Sequence, residues 1–167
     1  MDAEELKLLL ELVPLSFEGG YFSESYRSAD LIPQGALPGN YSGARCACTA
    51  IYYLLEPGTF SELHRVGSDE IFHFYFGDPV EMLQLWPDGS ARRVVIGADF
   101  ERGMRPQVVV PRGVWQGSRL AAGGKLALLG CTVSPGFEYA DYESGRCAVL
   151  AGQYPEQAMM IRELTRS

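Results

Sequence analysis

Residues 58–77 read GTFSELHRVGSDEIFHFYFG and contain both histidines of the chain. Gly58, His64, Glu70 and Gly77 stand in the spacing G-x5-H-x5-E-x6-G. The composition of the chain gives these matches around one histidine a chance of about one in a thousand, so the spacing is a signal rather than an accident. We therefore expect His64 and Glu70 to act at one site.

The residues that follow the turn at 67–69 alternate between the two faces of a predicted strand. Alternation places Glu70, Phe72 and Phe74 on one face. A hairpin at this turn would bring His64 beside Glu70 on adjacent strands. A buried histidine next to a glutamate has its charged form favoured by the partner and disfavoured by burial. Such a pair is typical of general acid–base catalysis.

Short apolar runs separated by turn residues continue outward from this stretch, roughly every 8 to 12 residues between 44 and 135. This spacing leaves no room for the crossover helices of a parallel sheet. Asp2 and Glu5 resemble a capping box, which predicts a short helix that ends before Pro14, and Pro155 predicts a closing helix that continues over 157–164. The pattern predicts an all-β protein, a jelly-roll β-barrel with a short N-terminal and a short C-terminal helix.

Length and charge limit the domain organisation and the partners. The 167 residues suit one domain over 1–167, with a barrel core over about residues 18–150 and a Pro- and Gly-rich loop over 31–43. A net charge of −7 argues against nucleic acid and anionic membranes as partners. The leucine-rich start is acidic, and it is too short for a membrane span, so we expect a cytoplasmic protein. The four cysteines form no C-x-x-C pair, which argues against a zinc ribbon or a thioredoxin-type site.

Two segments resemble the two sequence motifs of the cupins. Residues 58–77 resemble the first motif, G-x5-H-x-H-x3-E-x6-G, with Val66 in place of the second histidine. Residues 111–116, PRGVWQ, resemble the second motif, P-x-G-x-x-H, with Gln116 in place of the histidine and Leu120 where an asparagine would stand. The first motif is a strong match that lacks one histidine. The second motif matches only at its proline and glycine.

The resemblance covers about residues 5–150, because the segments 18–22, 68–74 and 131–137 also look like one branch of the cupins. That branch consists of small single-domain bacterial and fungal proteins of uncharacterised function, similar in fold to sugar-nucleotide 3,5-epimerases. The resemblance implies a jelly-roll barrel and a homodimer, and it brings no established reaction. It also implies an interior pocket, whose candidate residues are His64, Glu70 and Gln116 at its centre and Phe72, Phe74, Trp115 and Tyr21 in its lining. The alternative for Phe72 and Phe74 is that they fill the barrel, as side chains do in small barrels, and the equal alternative for Trp115 is that it covers a dimer interface.

Metal-binding cupins typically hold a divalent ion with three histidines and a glutamate. Carried over to this chain, that set keeps His64 and Glu70, loses one ligand to Val66 and offers Gln116 as the last. His73 does not repair the set, because strand alternation turns it to the other face. Such ligands suit transition metals poorly. We therefore expect that no cofactor is required, with a divalent metal as the less favoured alternative.

Three functions stay open for a pocket that binds a small polar, sugar-like molecule. The first is a carbohydrate-related isomerase or epimerase in which His64 is the base, Glu70 orients it and a tyrosine returns the proton. The second is a non-catalytic binding or sensing module, and the third is a metal-dependent enzyme with a degenerate metal site. Further candidate groups are the phenols of Tyr21, Tyr139 and Tyr142, the carboxylates of Glu18 and Glu24, and, for a pyrophosphate, Arg45, Arg65 and Arg119.

Overall fold

A computed structural model gives the fold, and it describes residues 1–38 and 41–166. Most of the secondary structure is β-strand, with three short α-helices. The helices are α1 Ala3–Leu9, α2 Cys147–Gln153 and α3 Ala158–Glu163. The strands are β1 Val13–Pro14, β2 Tyr21–Arg27, β3 Leu31–Ile32, β4 Arg45–Cys46, β5 Thr49–Leu55, β6 Phe60–Arg65, β7 Asp69–Gly77, β8 Val80–Leu85, β9 Ala91–Ile96, β10 Gln107–Val110, β11 Trp115–Leu120, β12 Ala127–Ser134 and β13 Glu143–Ser144.

Two antiparallel sheets form the body of the fold. The first has the strand order β1-β2-β5-β12-β7-β10 and the second β13-β6-β11-β8-β9. Their inner faces share one apolar core, in which Phe72 and Leu129 of the first sheet meet Met82 and Ile96 of the second. Across the described residues the strand pairings do not close into a single ring. The all-β prediction is confirmed, with the sheets facing each other as in a jelly roll.

The connection between β6 and β7 crosses the interior from one sheet to the other. β6 pairs with β11 and β13, whereas β7 pairs with β10 and β12. The prediction of adjacent strands for His64 and Glu70 is therefore wrong. The physical reason is that the connecting residues bond to other loops: Gly67 O accepts from the Tyr41 hydroxyl at 2.6 Å. His64 and Glu70 face each other across the interior instead.

A bulge in β6 places two polar side chains on the same inner face. His64 pairs with Gln116 and Ser61 pairs with Ser118, so two residues of β6 oppose Gly117 alone. Because of this extra residue, Ser61 and His64 point to the same side, which strict alternation forbids. Gly117 permits the bulge, since a Cβ there would lie 3.0 Å from Leu63 N.

The helices cover the outer faces of the sheets. The capping box of α1 is confirmed, because Asp2 Oδ1 accepts from Glu5 N at 2.9 Å and Glu5 Oε2 accepts from Asp2 N at 2.8 Å. The predicted closing helix is confirmed as α3, after a 3₁₀ turn that begins at Pro155. α2 was not predicted, and it packs with α3 against the second sheet. No helix in the described parts of the chain is long and apolar enough to cross a bilayer.

The segment predicted as a loop over 31–43 contains some regular structure. β3 pairs with β4, and Gln34–Ala36 form a 3₁₀ turn. Residues 39 and 40 of this prediction lie outside the described residues. The sequence did not predict β3, because a two-residue strand leaves no alternating pattern to detect.

Candidate functional site

A pocket of about 90 Å³ opens between the sheets at the end of β7 that carries Glu70. Its floor contains His64, Glu70 and Glu18, and its mouth contains Glu24 and Arg27. The walls are mostly apolar and aromatic, and they include Leu15, Phe17, Phe22, Ile51, Val133, Phe137 and Tyr139. This volume lies below the roughly 300–1,000 Å³ of pockets for drug-sized ligands, so the space suits only a molecule of a few heavy atoms.

The opposite end of the interior is filled by side chains. Phe72 is 2% exposed and belongs to the main core, and Phe74 packs against that core. Neither of them lines the pocket. Both were predicted as pocket residues; they share the inner face with Glu70, but they lie deeper along β7.

Two further predicted lining residues lie outside the pocket. The ring of Tyr21 has the ammonium of Lys7 3.9 Å from its centroid and packs in the cluster beneath α1. Trp115 packs against the cluster beneath α2 and α3, with the guanidinium of Arg65 4.5 Å from its ring centroid. In both cases the strand turns the ring to the outer face of its sheet, because the next residue along points inward.

Gln116 joins His64 to Glu70 behind the pocket. Its Nε2 lies 2.9 Å from His64 Nε2 and donates to Glu70 Oε2 at 3.2 Å. His64 Nδ1 lies 2.8 Å from the backbone oxygen of Glu62, which can only accept, so Nδ1 carries a proton. The neutral ring therefore has its lone pair on Nε2, the atom that faces Gln116 and the two carboxylates. The structure thus brings the three central predicted residues together.

Glu18 is the second carboxylate beside His64 Nε2. Its Oε2 lies 3.9 Å from His64 Nε2, close to the 4.0 Å between His64 Nε2 and Glu70 Oε2. Its Oε1 accepts from the Ser61 hydroxyl at 2.6 Å. Burial lowers the pKa of His64, but the carboxylates of Glu18 and Glu70 and the contacts with Glu62 together raise it by more, so the net shift of the pKa is upward.

The environment of Glu70 favours its protonated form. Burial raises the pKa of the Glu70 carboxyl, against the lowering effect of His64. Cys131 Sγ lies 3.7 Å from Glu70 Oε1, and burial raises the pKa of this thiol as well. Cys131 is therefore a neutral thiol in the pocket wall rather than a nucleophile.

The tyrosines take positions different from that of a phenol opposite the base. Tyr142 lies face to face on His64, with 4.7 Å between ring centroids, and its hydroxyl donates to Glu62 Oε1 at 3.2 Å. Burial raises the pKa of Tyr142 above its usual range. Tyr139 stands at the mouth and is 61% exposed. Tyr142 thus acts as a wall for the imidazole, and an acidic group for the ligand comes from Glu18 or Glu70.

The raised pKa of His64 leads to a direct test. In Glu18→Gln, loss of one neighbouring carboxylate should lower the pKa of His64 by about one unit, a change typical of a removed neighbouring charge. Imidazole NMR titration measures this pKa, and His73→Gln assigns the two resonances. Glu101→Gln, which removes an exposed carboxylate from the turn between β9 and β10, is the control. An unchanged pKa in Glu18→Gln would contradict the role given to Glu18.

The donor set does not fit a metal ion as it is arranged. Gln116 turns its Nε2, which has only N–H donors, toward His64 and Glu70. Within residues 1–38 and 41–166 no three His, Cys, Asp or Glu side chains are grouped as metal ligands. His73 lies on the outer face, where its Nε2 is 3.2 Å from Thr132 Oγ1. The expectation that no cofactor is required stays a prediction.

The arginines considered for a pyrophosphate lie elsewhere. Arg45 pairs with Asp141 at 2.6 Å and Arg65 with Glu143 at 2.7 Å. Arg119 pairs with Glu81 and Glu163. None of the three lines the pocket. A pyrophosphate in the pocket would meet none of these guanidinium groups.

The sequence analysis named Glu18 only as a further candidate and did not predict its position beside His64. Gly19 and Gly20 follow it with positive φ of 108° and 69°, and a side chain at Gly19 would overlap the carbonyl oxygen of Phe60. This close approach of two backbones brings Glu18 to Ser61. The Gly-Gly pair was the available signal, but it did not say which strand the turn would meet.

Comparison with known proteins identifies the family. The sequence model described as "Cupin superfamily (DUF985)" matches residues 5–145. A hypothetical protein from Leishmania major is 36% identical and superposes with a TM-score of 0.89 over 100% of both chains. A protein of Shewanella oneidensis is 32% identical, with a TM-score of 0.85 over 99% of this chain and 98% of the other.

A curated relative from Saccharomyces cerevisiae, the uncharacterised protein YML079W, is 31% identical over 134 residues. The match covers 75% of this chain and 66% of the yeast protein, slightly less than two thirds of its length. The family match, the facing antiparallel sheets and the motif residues gathered at one pocket all agree. The chain belongs to the cupin superfamily, in the family described as DUF985.

Proposed function

We propose that the pocket binds a small organic molecule and that His64 exchanges a proton with it. The observation that carries this proposal is the position of His64 Nε2. It lies at the floor of an open pocket, between the carboxylates of Glu18 and Glu70, while Nδ1 is held by the Glu62 carbonyl. A base needs a fixed tautomer and a lone pair that the substrate can reach. The Glu62 carbonyl fixes the tautomer, and a substrate would take the place of Gln116 Nε2, which lies 2.9 Å from the lone pair on Nε2.

The reaction class that fits best is an isomerisation by proton transfer. His64 Nε2 would take a proton from a hydroxyl-bearing carbon next to a carbonyl group, and the resulting imidazolium would return it to the former carbonyl carbon. The hydroxyl proton of the first carbon would pass to the former carbonyl oxygen. Atoms and electrons balance without an external reactant. Epimerisation with a phenol on the opposite face is less well supported, because Tyr142 stacks on His64 and Tyr21 lies outside the pocket. A sugar-like carbonyl compound, a homodimer and a cytoplasmic location stay predictions.

Hydrogen–deuterium exchange tests the role of His64. We expect the protein in D₂O to accelerate exchange at the carbon next to the carbonyl of dihydroxyacetone or glyceraldehyde. In His64→Asn the acceleration should fall by at least about a hundredfold, as for loss of a general base. The asparagine amide can still donate to the Glu62 carbonyl, so the fold of β6 should be kept. Proton NMR of the small molecule follows the exchange.

The same substitution at the other histidine is the control. His73→Asn changes an outer-face residue and should leave the exchange rate unchanged. Equal rates in the original protein and in His64→Asn would contradict the proposed base. Binding without exchange in either protein would favour the non-catalytic binding or sensing function.

A further inference from the structure

The lining of the pocket is negatively charged. Glu18, Glu24 and Glu70 contribute three carboxylates, against the single guanidinium of Arg27. Their sum is −2, or −1 when one proton is bound by the pair of His64 and Glu70. The pocket is therefore negative unless His64 and Glu70 are both protonated, and in its negative states an anionic ligand would meet like charges on desolvation.

Arg27 does not offset this charge for a ligand. Its Nη2 lies 2.8 Å from Glu24 Oε2, and its Nη1 lies 3.0 Å from Glu138 Oε1. A carboxylate or phosphate ligand would have to displace these partners. A positively charged ligand could bind without displacing Glu24 and Glu138 from Arg27.

Aromatic rings at the mouth add a second, independent feature. Phe17 meets Tyr139 edge to face at 5.1 Å, and Phe137 meets Tyr139 in the same way at 5.3 Å. All three rings line the pocket. The faces of such rings carry a negative quadrupole, which attracts an ammonium group and repels an anion.

Glu18 is the carboxylate best placed to meet a ligand. Its side chain is 15% exposed, compared with 7% for Glu70. Ser61 donates to Oε1, and across residues 1–38 and 41–166 we find no hydrogen-bond donor to Oε2, whose distance to His64 Nε2 is 3.9 Å. Oε2 is thus open on the pocket side, where an N–H donor would complete it.

We propose that the pocket selects small ligands that carry a positive charge, with an ammonium group against Glu18 and an apolar body against the aromatic wall. This inference rests on the proposed function, because it takes the same pocket as the ligand site. A compound with a carbonyl group for His64 and an amino group for Glu18 satisfies both proposals. Amino-carbonyl compounds are the substrate class that follows.

A matched series of probes tests the charge preference. Isobutylamine, isobutanol and isobutyrate share a small branched body and differ in the charge of the head group. Titrations at pH 8, followed by the imidazole resonance of His64 and by backbone amides, give the three dissociation constants. We expect the amine to bind about tenfold more tightly than the alcohol, since charge-assisted hydrogen bonds are about twice as strong as neutral ones. The carboxylate should bind more weakly than the alcohol.

Two variants locate the effect. Glu18→Gln keeps the shape of the side chain and should weaken amine binding about tenfold while changing alcohol binding less than about twofold. Glu101→Gln, in the exposed turn between β9 and β10, should change neither. Equal or tighter binding of isobutyrate would overturn the charge preference and leave the pocket as a ligand site. Failure of all three probes to perturb His64 would contradict the proposed function together with this inference.

Discussion

Replacing Arg45 with methionine is expected to lower the free energy of unfolding by about 3–5 kcal/mol, the usual cost of breaking a buried ion pair on one side. Arg45 is 4% exposed and the side chain of Asp141 is 8% exposed. The guanidinium donates to both carboxylate oxygens of Asp141, at 2.6 and 2.7 Å, and to the carbonyls of Gly43 and Ala44. Methionine fills much of the space but leaves Asp141 as an unpaired buried charge. Urea unfolding followed by tryptophan fluorescence measures the loss.

The chain offers a matched control for this prediction. Arg65 pairs with Glu143 at a similar distance, but their side chains are 40% and 56% exposed. Arg65→Met should therefore cost less than about 1 kcal/mol. The double variant Arg45→Met/Asp141→Leu should be more stable than Arg45→Met alone, because no buried charge remains. If Arg45→Met and Arg65→Met lowered the free energy of unfolding by the same amount, burial would not make the Arg45–Asp141 pair more important for stability than the exposed pair.

The Arg45–Asp141 pair also connects stability to the pocket. Asp141 ends the 3₁₀ turn that begins at Tyr139, and Tyr142 follows it and stacks on His64. The salt bridge therefore fixes the segment that forms one side of the pocket mouth. Loss of the pair should loosen the wall against which the imidazole rests.

The central residues of the site could be predicted because the spacing of a sequence motif is tied to the positions of its residues in the fold. His64 and Gln116 are direct partners on neighbouring strands, and Glu70 is the second residue of β7, in the other sheet. The G-x5-H-x5-E spacing corresponds to the length of β6, the length of the connection between the two sheets and the first residues of β7. It does not record which strands pair, so the adjacent-strand interpretation failed while the meeting of the residues held.

The remaining features depend on backbone irregularities that a binary pattern does not show. The bulge in β6 turns Ser61 to the same side as His64, and the turn at Gly19 and Gly20 brings Glu18 to it. Alternation also cannot say how far along the interior a pocket extends. Phe72 shares the inner face with Glu70, yet it lies where the two sheets are packed solid. Depth along a strand is set by side chains from the opposite sheet, which the local sequence does not contain.

Phe72→Ala separates the core from the pocket and should cost about 3–5 kcal/mol of unfolding free energy. The ring is 2% exposed and packs in the cluster that joins the two sheets, so its removal leaves a cavity that the surrounding strands cannot close. Because Phe72 does not line the pocket, the affinity for isobutylamine should change less than about twofold under conditions where the variant is folded. Urea unfolding and the His64 titration measure the two quantities on the same sample.

Phe76→Ala is the matched control, on the same strand and with the same change of volume. Phe76 is 46% exposed, so its truncation removes about half as much buried surface as that of Phe72 and should cost about half as much or less. A small stability loss in Phe72→Ala, combined with a large change in amine affinity, would show that the ring lines the ligand site after all. A large stability loss with unchanged amine affinity would support a ligand site beside Glu70 at one end of the interior. Phe72 would then stabilise the packing of the two sheets at the other end.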